Sequence, residues 1–256
     1  MSSVRAVGVV PARWASSRFP GKPLVEIAGR PMIQHVVEGA RQAKRLSRVL
    51  VATDDERIAR ACTAFGAEVA MTSAEHPTGS DRLAEVARTL DEDVIVNIQG
   101  DEPMIEGFVV DAAVDALLED PSLPMATVVH AAEAEALSDP NRVKVTLAEN
   151  RDALYFSRSP IPHRRQGAPA PPIWQHIGLY AYRRPFLLEY VRLTATPLER
   201  SEALEQLRAL EHGYRIRCAI IEGWKSIPVD TPADVARVED ALARRDAGSS
   251  GPGQEL

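Results

Sequence analysis

Cysteine is scarce in this chain, with only Cys62 and Cys218 among 256 residues. The two residues fall in different predicted elements, and they supply neither the spacing of a zinc site nor the number of thiols that a disulfide framework needs. This scarcity argues against a disulfide-stapled secreted domain and indicates a protein of the reducing cytoplasm.

An excess of positive charge is also lacking, because 36 acidic residues outnumber 30 lysines and arginines and give a formal net charge of −6. Such a chain has no basic footprint for nucleic acid. It has no apolar run long enough to cross a bilayer, and its N-terminus does not follow the pattern of a signal peptide. We therefore expect a soluble protein with neither a nucleic-acid nor a membrane partner.

What the chain does contain is a regular alternation of strand-like and helix-like apolar patterns. The predicted strands cover residues 4–10, 48–52, 68–71 and 94–98, and the predicted helices cover 31–43, 55–65, 83–90 and 107–118. Their connections are too long for hairpins, which predicts an α/β fold with a mostly parallel sheet flanked by helices. The length suits one large domain, alone or with an insertion.

The pattern changes in the second half, where an insertion or smaller lobe is predicted to begin. Residues 142–147 and 153–157 look like a hairpin, and the five prolines of 160–172 exclude a strand interior there. Later elements are a strand over 174–182, a helix from 196 to about 211, a strand over 214–221 and a last helix from 231. The small polar residues from 247 onward predict a disordered tail.

The loop after the first predicted strand combines cations, hydroxyls and a glycine. The residues concerned are Arg13, Ser16, Ser17, Arg18, Gly21 and Lys22. A loop at the carboxyl end of a parallel strand lies over the crevice where open α/β folds bind ligands, and this composition suits a polyphosphate. The loop matches neither of the familiar glycine-rich phosphate motifs, so a solvated basic loop stays an open alternative.

Two aspartates far apart in sequence, Asp101 and Asp230, are each predicted at the carboxyl end of a strand. Two strand ends of one sheet can meet over the same crevice, and Mg²⁺ is commonly held by one or two carboxylates together with nucleotide phosphates. The alternative to a metal site is that each aspartate belongs to a turn or caps a helix, and Asp230 directly precedes a capping threonine.

Two further groups of polar residues are candidates for a binding site. The loop 76–82, together with Gln99, offers hydroxyl and amide groups that suit the edge of a base or a sugar, and its alternative is a hydrophilic surface turn. The second group is spread over the second half of the chain, where packing or solvation would explain its members equally well: Arg158, His176, Tyr180, Glu205 and Gln206.

Taken together, the motifs resemble those of the 3-deoxy-manno-octulosonate cytidylyltransferase (CMP-Kdo synthetase) family. In chain order the matching runs are VPAR at 10–13, RFPGKPL at 18–24, ATD at 52–54, HPTGSDR at 76–82, NIQGDEP at 97–103, YFSR at 155–158, HIGLY at 176–180, LEQLR at 204–208 and VDTP at 229–232. Each run is weak alone. The ordered set, which spans nearly the whole chain, is specific.

The resemblance implies an enzyme, a nucleotidyltransferase that joins CTP to 3-deoxy-D-manno-octulosonate (Kdo) and yields CMP-Kdo and pyrophosphate for lipopolysaccharide biosynthesis. It implies a Rossmann-like α/β sheet of the nucleotide-diphospho-sugar transferase type with a smaller mixed lobe, a cytoplasmic homodimer and a requirement for Mg²⁺. The catalytic residues it implies are Arg13 and Lys22 toward the triphosphate, and Asp101 and Asp230 as metal ligands.

The same resemblance assigns binding residues. Those expected on the nucleotide are Pro11, Ala12, Arg13, Ser16, Arg18, Lys22, Ser80 and Gln99, and those expected on Kdo are Arg82, Arg158, His176, Tyr180, Glu205 and Gln206. A single domain over 1–246 is expected, with a nucleotide-binding part at about 1–130 plus 214–246, a sugar-binding and dimerisation lobe at about 131–213, and a tail at 247–256.

Three alternatives stay open at this point. A cytidylyltransferase for another sugar acid, such as an amino-substituted Kdo, would change the set Arg158, His176 and Glu205. A glycosyltransferase would usually carry an Asp-x-Asp metal motif after a strand, and the run at 101–103 supplies none. A non-catalytic nucleotide-binding regulator is the third. Pro228, where relatives often carry glycine, could also displace Asp230.

Overall fold

The computed structural model describes residues 4–15, 19–169 and 171–249. Its strands are β1 Ala6–Ala12, β2 Glu26–Ile27, β3 Arg30–Pro31, β4 Leu46–Thr53, β5 Glu68–Met71, β6 Val94–Asn97, β7 Met125–Ala131, β8 Lys144–Leu147, β9 Ala153–Ser157, β10 Trp174–Arg183 and β11 Ile216–Ile221. Its α-helices are α1 Met32–Ala40, α2 Glu56–Ala64, α3 Gly79–Ala87, α4 Gly107–Leu118, α5 Arg184–Tyr190, α6 Pro197–Glu202, α7 Leu207–Glu211 and α8 Pro232–Ser249. Within these ranges, no helix combines the length and the apolar character that crossing a membrane requires.

The central sheet has the strand order β5-β4-β1-β6-β10-β7-β11. Its strands run parallel except for β10, which is antiparallel to both β6 and β7. Strand β8 pairs with the start of β10 and with β9, so the predicted hairpin extends the sheet. The predicted α/β class, with a mostly parallel sheet between helices, is confirmed.

Both faces of the sheet are buried, and strand β1 illustrates how. Ala6, Val10 and Ala12 point into one core, whereas Val7 and Val9 point into the other. A strand covered on both faces is apolar at successive positions, which explains its continuous hydrophobic run. Helices α1, α2 and α4 cover the first face and α3, α5 and α7 the second, through residues such as Ile33, Ile58, Val109, Leu83, Phe186 and Leu207.

A third, smaller core joins the two ends of the chain. Val238 and Leu242 of α8 pack with Ile27, Met32 and Met104. This packing carries the segment that precedes α8 onto the N-terminal part of the sheet. The C-terminal segment therefore reaches the edge where the first loop lies.

Several predicted boundaries shift, for identifiable reasons. Helix α2 begins at Glu56 instead of residue 55, because Asp55 is its cap and the Asp55 side chain accepts from the Arg57 amide. A capping box of Thr78 and Asp81 starts α3 at Gly79, inside the predicted loop. The predicted helix over 196–211 is two helices, α6 and α7, because Ala203 adopts the left-handed conformation with φ 49° and ψ 49°.

The segment 131–213 is not separate from the main sheet, since its strand β10 lies between β6 and β7. What projects from the sheet is the β8–β9 hairpin with the α6–α7 segment against it. Helix α8 continues to Ser249, so residues 247–249 are helical, contrary to the expected tail. Residues 250–256 lie outside the described ranges.

Candidate active site

The side chains of Lys22, Asp101 and Asp230 meet at the carboxyl edge of the sheet. Lys22 Nζ donates to Asp101 Oδ2 at 2.8 Å and to the Val229 carbonyl oxygen at 2.8 Å. It also lies 3.6 Å from Asp230 Oδ1. The structure thus brings the two carboxylates together, although Asp230 lies in the segment between β11 and α8 and not at the strand end that the sequence predicted. We call these three residues the carboxylate cluster.

Local backbone structure holds the carboxylate cluster in place. The Val229 amide donates to the Asp101 carbonyl oxygen at 2.9 Å, which ties the two aspartate-bearing segments together. The carboxylate that caps α8 belongs to Asp234, which accepts from the amides of Asp230 at 3.1 Å and Thr231 at 2.9 Å. The Asp230 carboxylate is therefore not the cap of α8, and Pro228 does not carry it away from Lys22.

The donor set of the carboxylate cluster suits a hard divalent cation. Within the described ranges, no group of three or more histidines, cysteines or carboxylates could hold a metal ion by itself. Mg²⁺ does not need such a group, because it keeps several waters and takes its remaining ligands from one or two carboxylates and substrate phosphates. Asp101 and Asp230, already facing one cation, fit that requirement.

Arg13, one of the residues predicted to bind phosphate, directly follows β1 at the start of the loop. Its Nη1 donates to the Pro77 carbonyl oxygen at 3.3 Å. Its Nη2 is buried and has no hydrogen-bond partner within the described part of the chain. A buried guanidinium nitrogen without a partner is a donor available to an anion. Ser16 and Arg18 lie outside the described residues.

A polar cavity of about 290 Å³ opens beside the carboxylate cluster. Its lining combines the end of β1, the start of α3, the run after β6, the bulged strand β10 and the α6–α7 connection: Pro11, Gly79, Ser80, Asn97, Gln99, Gly178, Tyr180, Tyr182, Tyr190, Glu205 and Gln206. The predicted residues Pro11, Ser80, Gln99, Tyr180, Glu205 and Gln206 are thereby brought together.

Several polar atoms in this cavity are left without partners. Ser80 Oγ donates to Glu205 Oε2 at 3.1 Å. Glu205 Oε1, Gln206 Nε2 and Asn97 Oδ1 are buried and make no hydrogen bond to the described residues. Buried polar groups are nearly always paired, so three such atoms on one cavity indicate a place for a ligand rich in hydroxyl and amide groups.

Burial sets the protonation of the groups around the cavity. It raises the pKa of Glu205, an effect that Arg208 and Ser80 partly oppose. It raises the pKa of Tyr180 and of Tyr182 well above the usual value, so both phenols stay neutral. Among the described residues that line the cavity, none is a lysine, an arginine or a histidine.

His176 lies beside the cavity rather than in its lining. Its ring packs against Phe156 and Tyr180 with centroid distances of 5.0 and 5.3 Å, and its Nε2 is 3.0 Å from Thr127 Oγ1. Burial lowers the pKa of His176 to about 3, so the imidazole is neutral at physiological pH. In this position it supports Tyr180.

A β-bulge in β10 shapes the wall that carries Tyr180. The pairing of β10 with β7 shifts register between Ile177 and Tyr180, and the Thr127 hydroxyl lies 2.8 Å from the Leu179 carbonyl oxygen there. Bulges re-aim side chains near functional sites. Gly178 lets Gln99 pack closely here, because a Cβ would come within 3.2 Å of Gln99 Cγ and would push that side chain by a few tenths of an ångström.

Two arginines expected to contact Kdo are placed differently. Arg82 is fully buried, with its Nη2 3.3 Å from Asp54 Oδ1 and its Nη1 bonded to the Thr72 hydroxyl. Arg158 donates to three backbone carbonyl oxygens, those of Pro140 at 2.9 Å, Glu202 at 2.7 Å and Ala203 at 3.2 Å. Neither lines the cavity. The geometry gives both a part in building the walls around it.

Besides the glycines, the lining residues Asn97, Tyr182 and Tyr190 were not predicted as site residues. Asn97 opens the motif that contains Gln99, and Tyr182 is two residues from Tyr180 on the same strand face, so both had a signal in the sequence. Tyr190 had none, because its helix α5 reaches the cavity only through the tertiary fold.

Comparison with known proteins identifies the family. A family model described as cytidylyltransferase matches residues 7–216. A Geobacter metallireducens protein is 49% identical, with 94% of this chain and 99% of the relative covered, and a Syntrophotalea carbinolica protein is 52% identical, with 91% and 97% covered. Both are named 3-deoxy-manno-octulosonate cytidylyltransferase. This chain belongs to the 3-deoxy-manno-octulosonate cytidylyltransferase family.

A solved structure agrees with this family assignment. It is described as CMP:2-keto-3-deoxy-manno-octonic acid synthetase complexed with CTP, has 45% sequence identity and superposes with a TM-score of 0.89. The match covers 94% of this chain and 99% of that one. The resemblance inferred from the motifs is confirmed, and the chain is a nucleotidyltransferase by family.

Proposed function

We propose that this protein transfers the cytidylyl group of CTP to Kdo and releases pyrophosphate and CMP-Kdo. The observation that carries the proposal is the position of two unlike sites at one sheet edge. Gln99 lines the polar cavity, and Asp101, two residues further along, belongs to the carboxylate cluster. The cluster suits a metal-bound triphosphate, and the cavity suits the polar groups of base and sugar.

The triphosphate would lie over the first loop. Arg13, with its unpaired Nη2, and Lys22 supply cationic donors for the phosphate oxygens. Asp101 and Asp230 would hold the divalent cation, which we propose to be Mg²⁺ and which supplies neutralisation of phosphate charge when bound. Positioning and charge neutralisation are the main sources of catalysis in phosphoryl transfer.

Kdo would enter the polar cavity with its hydroxyl groups toward Glu205 and Gln206. The unpaired Glu205 Oε1 accepts hydrogen bonds, and Gln206 Nε2 donates them. In the reaction the anomeric hydroxyl oxygen bonds to the α-phosphorus, the α-phosphorus bond to the bridging oxygen breaks, and pyrophosphate leaves with the electron pair of that bond. The hydroxyl proton passes to water or to the leaving pyrophosphate. This direct displacement needs no covalent enzyme intermediate, in keeping with the described part of the cavity lining, which has no cysteine and no serine–histidine pair.

The remaining parts of the proposal come from the family resemblance. They are a homodimeric assembly, a cytoplasmic location, where CTP is available, and a role of CMP-Kdo in lipopolysaccharide biosynthesis. The site roles given above for individual residues are likewise part of the proposal.

Pyrophosphate release from CTP by the purified full-length protein tests this function. The acceptors to compare are Kdo, an amino-substituted Kdo, an unrelated sugar acid and no acceptor, each with Mg²⁺ and with EDTA. We expect release with Kdo and Mg²⁺, and none without acceptor or with EDTA. Turnover of another acceptor but not of Kdo would refute the substrate assignment, and CTP binding without turnover of any acceptor would support a regulator instead.

A further inference from the structure

The connection between α6 and α7, residues 203–206, carries Glu205 and Gln206 to the cavity. It is not held by its own helices alone. Ala203 sits in a left-handed conformation that a residue with a Cβ rarely adopts. Backbone of this kind persists only where the surrounding structure fixes it. The neighbours of this connection therefore decide where Glu205 points.

Tyr190, at the end of α5, makes one of the contacts that fix the connection. Its hydroxyl donates to the backbone carbonyl oxygen of Glu205 at 2.6 Å. The side chain is 1% exposed, and its ring packs beside Tyr182 at a centroid distance of 6.0 Å. Because the phenol is enclosed, it has little freedom to move. Its hydrogen bond therefore fixes the position of the Glu205 backbone relative to the cavity.

The other contacts act on the opposite side of the same connection. Arg158 donates hydrogen bonds to the backbone carbonyl oxygens of Glu202 and Ala203. Arg208, whose guanidinium carbon lies 5.4 Å from the centre of the Tyr190 ring, is bonded to Glu199 at the start of α6. Glu205 itself is contacted by Ser80 at its carboxylate and by the Arg208 amide at its carbonyl oxygen, and Tyr190 adds the contact from α5.

We propose that Tyr190 is a positioning residue for Kdo, acting through Glu205 rather than on the substrate. Its hydroxyl hydrogen is used in the bond to the Glu205 carbonyl oxygen, which also accepts from the Arg208 amide at 3.0 Å. Losing the Tyr190 bond would therefore remove the contact that ties Glu205 to α5, while the contact within the α6–α7 segment stays. The proposal rests on the proposed function, because it requires Glu205 to contact the sugar. It assigns to an α5 residue a role that no sequence motif indicates.

Tyr190→Phe tests the proposal with minimal change of shape. We expect the KM for Kdo to rise about tenfold, which corresponds to the loss of roughly one hydrogen bond, while the KM for CTP changes less than about twofold. Tyr214→Phe is the matched control, because its hydroxyl also bonds an oxygen, Glu189 Oε1 at 2.5 Å, away from the cavity lining. The control should leave both constants unchanged.

A double-mutant cycle with Glu205→Ala distinguishes positioning from direct contact or a merely structural role. If Tyr190 acts through Glu205, Tyr190→Phe adds less than about a twofold effect on the KM for Kdo in the Glu205→Ala background. An undiminished tenfold effect in that background, or no effect in the wild-type background, would overturn the proposal. Wild-type protein that turns over no Kdo at all would instead refute the proposed function.

Discussion

Replacement of Glu102 by glutamine tests how charge is distributed next to the carboxylate cluster. Glu102 is 8% exposed, its Oε1 accepts from the Ser226 hydroxyl, and its Oε2 has no hydrogen-bond partner in the described ranges. Burial, with added repulsion from Asp101 and Asp230, raises the pKa of this carboxyl from 4.5 to about 8. Glu102 is therefore mostly protonated at neutral pH, and glutamine is its neutral isostere.

The raised pKa has a definite consequence for stability. A carboxyl that binds its proton more tightly in the folded than in the unfolded protein makes the free energy of unfolding fall as pH rises. The fall starts near pH 4.5, where the unfolded carboxyl ionises, and ends near pH 8. The difference between the two pKa values corresponds to a loss of at most about 5 kcal/mol in the free energy of unfolding. Relaxation of the protein around the ionised carboxylate reduces this loss to about 2–4 kcal/mol.

Thermal unfolding followed by circular dichroism, in buffers with EDTA from pH 5 to 8.5, measures this effect. We expect Glu102→Gln to match the wild type near pH 5 and to melt roughly 5–15 °C higher near pH 8, from about 2–4 °C per kcal/mol for a chain of this size. Subtracting the two curves removes the contribution of all other titrating groups. Glu75→Gln, which removes an exposed carboxyl, controls for net charge. If the difference in Tm between the wild type and Glu102→Gln stayed constant with pH, the raised pKa of Glu102 would be refuted.

Three other predictions concern the site. Asp101→Asn and Asp230→Asn should each lower kcat at least about 100-fold, as the removal of a charge-stabilising group does in other enzymes. The Tm of each variant should be nearly unchanged. Near-normal turnover by a variant would remove that residue from the proposed metal shell. Glu205→Ala should raise the KM for Kdo at least about tenfold and leave the KM for CTP nearly constant, whereas equal effects on both would place Glu205 elsewhere. The His176 ring, with a pKa lowered to about 3 by burial, should show no NMR titration between pH 5 and 8, and a titration in that range would contradict its buried placement.

The features predicted well from sequence are those set by short-range pattern. Strand β1 reads as a continuous apolar run because both of its faces are buried, and β5 and α4 have the predicted bounds. The same logic places Asp101 after β6, at the carboxyl edge of the sheet. It does not account for Asp230, which lies between the end of β11 at Ile221 and α8 and is positioned by packing in the third core. The topology of the fold turned two distant positions into one cluster.

The features that sequence did not predict depend on long-range partners. Nothing local marks β10 as an antiparallel strand between β6 and β7, because that placement is decided by pairing with strands far along the chain. The break at Ala203 is hidden in a good helical pattern, and tertiary contacts such as those of Arg158 hold it. A cation in a family motif identifies a position but not its protein partners, so the contacts of Arg82 with Asp54 and Thr72 and of Arg158 with backbone carbonyl oxygens had no signal in the sequence.

Packing in the third core determines where Asp230 lies. Asp230 follows Val229, which is fully buried in that core together with Val238 of α8, and Val229 is hydrogen-bonded through its amide to Asp101. The spacing of the two carboxylates is thus set by packing between the two ends of the chain, whereas Glu205 is set by α5 and the α6–α7 connection. Loosening α8 should impair the metal-dependent step before it affects Kdo binding, because the two halves of the site rest on different contacts.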